Sequence, residues 1–243
     1  MSLALAAAPP ATAAGTVALQ LVSLVNQARA SLGLIPLRLD PRITLLTEER
    51  ARRLAVDGVL SHSAAGDIGA QLDSRGVRWY RYGEVLAWQG GSSGIASAIF
   101  QRWRNSPTHW VLLMSSQYNY LGAGTSISAQ YGATFASIVL VEQADRTAPI
   151  PRMVGATRYS TTIRWTYKAW EPPLQTHTAG LKDFDVAYRV DRGSWRIIRS
   201  GTTATYVRLT GRARGHSYSV SVRARDRRGN VSAWTPELRV WVP

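Results

Sequence analysis

Apolar residues recur at steps of three and four along the first part of the chain and at steps of two along the last. Between positions 17 and 32 the apolar set is Val17, Leu21, Leu24, Val25, Ala28 and Leu32, which lines one face of a helix. Thr16 is placed to cap this helix and Gly33 to end it. A second helix is expected after Asp40-Pro41, where a capping residue precedes a proline in the first turn. Its stripe is Ile43, Leu46, Arg50 and Leu54, and Gly58 stops it. Ser61-His62-Ser63 follows as a loop, and Asp67 is suited to cap a short helix through Ile68 and Leu72 to Gly76. Residues 79–88 (WYRYGEVLAW) are aromatic-rich and carry one carboxylate, Glu84. A Gly/Ser loop over 90–94 leads into a helix from Ile95 through Ile99 to Trp103, and residues 121–127 and 133–141 read as the strands of a hairpin. Helices first and an antiparallel sheet after them predict an α+β layered domain.

A Pro-containing break over 145–151 (DRTAPIP) separates this half from a different pattern. Beyond it, Ile163/Trp165, Phe184/Val186/Tyr188/Val190, Val207/Leu209, Tyr218/Val220/Val222/Ala224 and Leu238/Val240/Val242 alternate with polar residues. Short alternating segments with turns between them predict a β-sandwich. The expected division is a leader over 1–15, a first domain over 16–144, a linker over 145–151 and a second domain over 152–243.

Composition supports two modest cores, with 45% hydrophobic and 18% charged residues in 243. No apolar run approaches the roughly 20 residues that span a bilayer. Cysteine is absent, which excludes a disulfide framework and thiolate chemistry. The opening MSLALAAAPPATAA resembles the end of a secretory signal, with Ala11-Thr12-Ala13 as a small-x-small cleavage triplet but without a positively charged start. A secreted or cell-envelope location is the expectation. The formal charge of +14 is uneven: residues 1–147 hold 12 Arg against 9 acidic residues, whereas 148–243 hold 17 Lys/Arg against 6. A basic second domain points to an anionic cell-wall or extracellular polymer as partner, with nucleic acid disfavoured by the export reading.

Candidate chemistry centres on residues 103–124, WRNSPTHWVLLMSSQYNYLGAG. His109 follows the helix-breaking Ser106-Pro107 pair, and Leu121-Gly-Ala-Gly124 enters a strand. On spacing alone this is either a helix-turn-strand corner with an incidental histidine or a ring nitrogen set at a Pro-defined helix start as a ligand or catalytic group. Taken with Leu24-Val-Asn-Gln-Ala-Arg29, Gly33-Leu-Ile-Pro-Leu37, Ser61-His62 and Gly83-Glu84, the stretch resembles the bacterial SCP-like branch of the CAP family (cysteine-rich secretory, antigen 5 and pathogenesis-related proteins). The resemblance covers about residues 16–143 and implies a three-layer α/β/α sandwich, usually secreted. It also implies a cleft lined by two His and two Glu, where zinc or another divalent metal binds. His62 and His109 match the two histidines and Glu84 matches one glutamate. The position of the second glutamate falls on Ser106, a possible cleft contributor, and Val85 replaces the Asn that follows the matched Glu.

Two imidazoles and one carboxylate make a minimal zinc shell with an open fourth position. The alternative is a metal-free His–Glu–His cluster, hydrogen-bonded to hold loops together. The lost second carboxylate removes an obvious general base, so ligand binding is expected ahead of metal-dependent hydrolysis. A third option is an adhesion or structural protein with a vestigial cleft.

The second half resembles a fibronectin type III domain through Trp165, Tyr188, Leu209 with Gly211, Tyr218, and Val222-Arg-Ala-Arg-Asp-Arg-Arg-Gly-Asn-Val-Ser-Ala-Trp234. The full expectation is therefore a CAP sandwich followed by an all-β immunoglobulin-like sandwich, in which Trp165 and Tyr218 are core and corner residues. Strand parity turns Arg189, Arg223, Arg225, Arg239 and Trp241 outward on one sheet, with Trp195 and Trp234 alongside. That face is either an Arg/Trp stack that stabilises the module or a basic-aromatic surface for an anionic polymer.

Overall fold

The computed structural model describes residues 13–243 and divides them into two compact units. The leader expected over 1–15 falls mostly outside the described residues. The first unit runs to Ala144 and also takes in Leu174–His177.

In the first unit, α1 (Ala13–Ser31) begins ahead of Thr16, so that residue lies inside the helix rather than capping it. The short strand β1 (Arg38–Leu39) leads to α2 (Pro41–Asp57). Asp40 caps α2, its side chain accepting from the Arg42 backbone N–H, and Gly58 closes it in the left-handed conformation. Then come α3 (Ile68–Ser74), β2 (Trp79–Gly90), α4 (Ile95–Arg104), α5 (Pro107–Leu113), β3 (Tyr120–Ser128) and β4 (Ala133–Gln143). The aromatic run at 79–88 is thus a strand, paired antiparallel to β4 along its length. The sheet order is β1-β3-β4-β2, with only β1 parallel to its neighbour.

Period-two alternation gives this sheet two apolar faces. Val85, Ala87, Leu121, Ala123, Ile138 and Leu140 pack with Leu21 and Val25 of α1, Ile99 and Trp103 of α4 and Leu113 of α5. The opposite parity, Tyr120, Val139 and Val141, meets Ile43 and Leu46 of α2 and Ile68 and Leu72 of α3. Helix α2 lies against the glycines of Leu121-Gly-Ala-Gly124. A Cβ on Gly122 would sit 2.2 Å from the Ile43 carbonyl carbon, and one on Gly124 2.3 Å from that of Thr47. Backbone on backbone is the only packing that fits, and it fixes the height of α2 over the sheet.

The second unit comprises β5 (Ile150–Tyr159), β6 (Thr162–Trp170), β7 (Leu181–Val190), β8 (Arg196–Thr202), β9 (Tyr206–Leu209), β10 (His216–Asp226) and β11 (Leu238–Val242). They form two sheets, β11-β10-β7-β8 and β5-β6-β9. Trp165, Tyr167, Phe184, Val186, Val220 and Val222 fill the space between them. Tyr218 donates its hydroxyl to the Ala213 carbonyl at 2.9 Å. Strands β5 and β8 went unread in the sequence because neither alternates cleanly. The segment 145–151 is not a free tether: Ile150 and Pro151 already pair with Trp170 and Ala169, and the Asp145 carboxylate accepts from the Ala179 N–H at 2.9 Å. No helix among the described residues is long and apolar enough to cross a membrane.

Candidate functional site

Glu84 sits on the α2 side of β2, where Val139 is its register partner. Its side chain is 2% exposed and faces Arg50, whose side chain is 1% exposed. Arg50 occupies the apolar stripe of α2 between Leu46 and Leu54, so its charge is carried into the core. The guanidinium grips the carboxylate with both prongs, Nε to Oε1 at 2.6 Å and Nη2 to Oε2 at 3.0 Å. Ser137 Oγ donates to Oε1 at 2.9 Å, and His62 Nδ1 meets Oε2 at 2.8 Å. The bidentate fork and the added donors satisfy a charge pair that would be costly in this setting if left bare.

The same guanidinium ties down the loop that carries His62. Nη2 donates to the His62 carbonyl at 2.8 Å, and Nη1 to the Gly66 carbonyl at 2.8 Å and to Gln71 Oε1 at 3.1 Å. Glu84 then sets the ring. A carboxylate only accepts, so Nδ1 carries a hydrogen toward Glu84, and in the neutral ring the lone pair falls on Nε2. The His62 side chain is 61% exposed, so the ring reaches solvent.

His109 lies in α5 and is half-buried. Its pKa is lowered from the ordinary 6.5, first by burial and then by the neighbouring charge of His62. The His62 ring is thus close enough to act on His109, whose charged form is disfavoured. Ser106 holds the N-cap position of α5, but its side chain makes no capping hydrogen bond. Its hydroxyl lies instead 3.2 Å from that of Thr108.

Among the described residues, the only three metal-ligating side chains whose donor atoms all lie within 4.8 Å of one another are Asp145, Glu171 and Asp226, in the second unit. Sequence reading missed this group because Asp145 looked like linker. Asp145 accepts from the N–H groups of Thr147 and Ala179, and Asp226 from those of Arg228 and Asn230, so these carboxylates hold turns. His62, Glu84 and His109 do not form such a group. With Glu84 committed to Arg50, these residues offer two imidazoles and no spare carboxylate. That set does not fit a resident zinc ion with three protein ligands.

The profile of the cysteine-rich secretory protein family, CAP, matches residues 22–141. Those residues form a CAP domain. No curated protein matches the chain significantly. Among solved structures, an extracellular SCP-domain protein of Bacillus anthracis is 22% identical with a TM-score of 0.47, covering 56% of this chain and 45% of its own. An outer surface protein of Borrelia burgdorferi is 18% identical with a TM-score of 0.46, covering 53% of this chain and 93% of its own. A human fibronectin III domain is 15% identical with a TM-score of 0.31, covering 42% of this chain and 88% of its own. The chain thus spans less than half of the Bacillus protein. Arg50 was legible in the CAP domain's sequence only as a misfit. A charge on the buried stripe of a helix requires a buried partner, and Glu84 is the one carboxylate in the aromatic-rich strand β2.

The basic face named from strand parity lies on β11-β10-β7-β8. Arg189 stacks over Trp195 at 4.8 Å and Arg223 over Trp234 at 4.9 Å. Arg189 and Arg239 both pair with Glu237, while Arg223 and Arg225 both reach Asp185. Trp241 is 54% exposed on the edge strand and stands outside the two stacks. This ladder spends its guanidinium charge on its own carboxylates.

Proposed function

We propose that this is an exported binding protein. Its CAP domain is read as a three-layer α/β/α sandwich that takes a small polar ligand at the imidazoles of His62 and His109. Its second unit is read as a fibronectin type III module that attaches the protein to an anionic envelope polymer. The observation that carries the cleft reading is the saturation of Glu84 by Arg50, Ser137 and His62. A carboxylate so engaged orients His62 and leaves Nε2 as an acceptor for a ligand hydroxyl or N–H. Metal-dependent hydrolysis finds no support in a donor set of two imidazoles. Helices on both faces of the first sheet support the layered reading. The three-plus-four strand arrangement and the Tyr218 corner support the type III reading. The Ala-rich opening and the family's secretory character support export.

Calorimetric zinc titration of the full chain tests the cleft. Weak binding of equal strength is expected in wild type, His62→Ala and His109→Ala. Tight one-to-one binding lost in both variants would establish a metal centre instead. Imidazole NMR gives a second check: His109 should titrate below 6.5. In His62→Ala its pKa should move upward, because the second cause of its depression is gone.

A further inference from the structure

The outer face of the three-stranded sheet was not singled out by sequence, and its strands carry basic charge with no acidic residue among them. Strands β5, β6 and β9 contain Arg152, Arg158, Arg164, Lys168 and Arg208 and no Asp or Glu. The ladder sets Arg164 directly opposite Arg208, and Arg152 directly opposite Lys168. Like charges at opposed positions destabilise a sheet, so the fold bears a cost at two rows of one face. Among the described residues no carboxylate forms an ion pair with any of these five side chains.

The face is also concave. Arg158, Arg164, Arg208, Tyr159, Tyr206 and Thr157 line a pocket of about 360 Å³, with Thr162 beside them. Tyr159 is 86% exposed and Tyr206 47%. The Arg164 guanidinium lies over the Tyr206 ring at 4.2 Å. Guanidinium forks match carboxylates in two-point hydrogen bonds. Tyrosine rings and threonine hydroxyls give a sugar an apolar wall and polar contacts at once. A single nucleic-acid strand would want a row of open aromatic platforms, and here one of the two rings is already covered by Arg164.

Building on the attachment role proposed for the second unit, we propose that this pocket, between Arg164, Arg208 and the two tyrosines, is where the module grips an acidic, carboxylate-bearing polysaccharide.

The probe is immobilised polygalacturonate, with the full chain as analyte. Wild type should be retained at low salt and released as salt screens the contacts. Arg164→Ser with Arg208→Ser should weaken retention about tenfold or more, and Arg164→Lys with Arg208→Lys should restore part of it. Tyr206→Ala should weaken binding several-fold while leaving the salt dependence nearly unchanged, which a purely electrostatic surface would not do. Circular dichroism and the unfolding temperature confirm that each variant is folded. Loss confined to Arg189→Ser with Arg239→Ser would overturn the pocket and leave polymer attachment standing on the other face. No retention of wild type at low salt would end both. Stronger binding to single-stranded DNA than to polygalacturonate would overturn the polysaccharide assignment in favour of nucleic acid.

Discussion

The two outer faces of the second unit are both rich in arginine and use it in opposite ways. On β11-β10-β7-β8 the register sets Arg223 opposite Asp185 and Arg225 opposite Asp183. On β5-β6-β9 it sets Arg164 opposite Arg208 and Arg152 opposite Lys168. On the first face Arg189, Arg223, Arg225 and Arg239 are paired internally, and two guanidiniums stack on tryptophans. The second leaves its charge open around a pocket. Net charge alone would not separate them, because the sequence places basic residues in every strand of both sheets. Which residue faces which across the ladder decides whether a guanidinium stabilises the fold or remains available to a partner.

The buried pair of the CAP domain is the extreme of the closed mode, and breaking it should have the largest effect. Arg50→Met removes the counter-charge and leaves Glu84 in the core beside only Ser137 and His62. Removing one partner of a buried pair typically costs about 3–5 kcal/mol. The loss should appear in the unfolding transition of the first unit, by calorimetry, with the second unit's transition unmoved. The double variant Arg50→Met/Glu84→Gln should recover part of it, since no uncompensated charge is then buried. Arg50 also holds the carbonyls of His62 and Gly66, so the single variant should become sensitive to proteolysis between Gly58 and Asp67. A change of less than about 1 kcal/mol would mean that the pair contributes little beyond its own desolvation.

Asp185 is the hub of the closed face and the next largest effect. Burial pushes its carboxyl up, but hydrogen bonds from Ser200, Gly201 and Arg223 outweigh burial and hold its pKa below the ordinary 3.8. A carboxylate with a depressed folded pKa contributes stability that is complete above its unfolded value, near 4, and is lost as pH falls through the folded value. Asp185→Asn should therefore cost about 1–2 kcal/mol at neutral pH. The gap to wild type should close under acid, where the wild-type carboxyl is protonated too. Urea unfolding of the second unit at neutral and acid pH measures both. An equal gap at the two pH values would show that shape rather than charge makes the contribution.

The sequence carried the fold further than the site. Apolar steps of three and four marked α1, α2 and α4, and steps of two marked β6, β7, β9, β10 and β11, because in those elements one face is buried against a core. Strand β2 was legible as composition and not as a strand, since it contacts helices on both faces and shows no alternation. His62, Glu84 and His109 were brought together as one candidate site only through family likeness. Their partner Arg50 was visible but read as part of a stripe. Long-range pairing was the missing information: Arg50 lies 34 positions from Glu84, and no local pattern links them. The same gap explains the choice of polymer face. Parity showed that Arg189, Arg223, Arg225 and Arg239 point outward, but the carboxylates that neutralise them come from a neighbouring strand and a loop.

The smallest effect has an unusual sign and tests the open face without any ligand. If Arg164 and Arg208 repel across the ladder, replacing one of them should stabilise the protein. Arg164→Thr places a β-branched residue on a central strand, between Thr157 and Arg208, where such residues fit well. It also removes the guanidinium stacked on Tyr206, which offsets part of the gain. A net stabilisation of about 0.2–1 kcal/mol is expected at low salt, shrinking as salt screens the repulsion. The matching change on the closed face, Arg223→Thr, strips a partner from Asp185 and should destabilise. Opposite signs for two arginines on strands of one sandwich would separate charge kept for the fold from charge kept for a partner. Equal signs would show that the faces differ in geometry but not in energy.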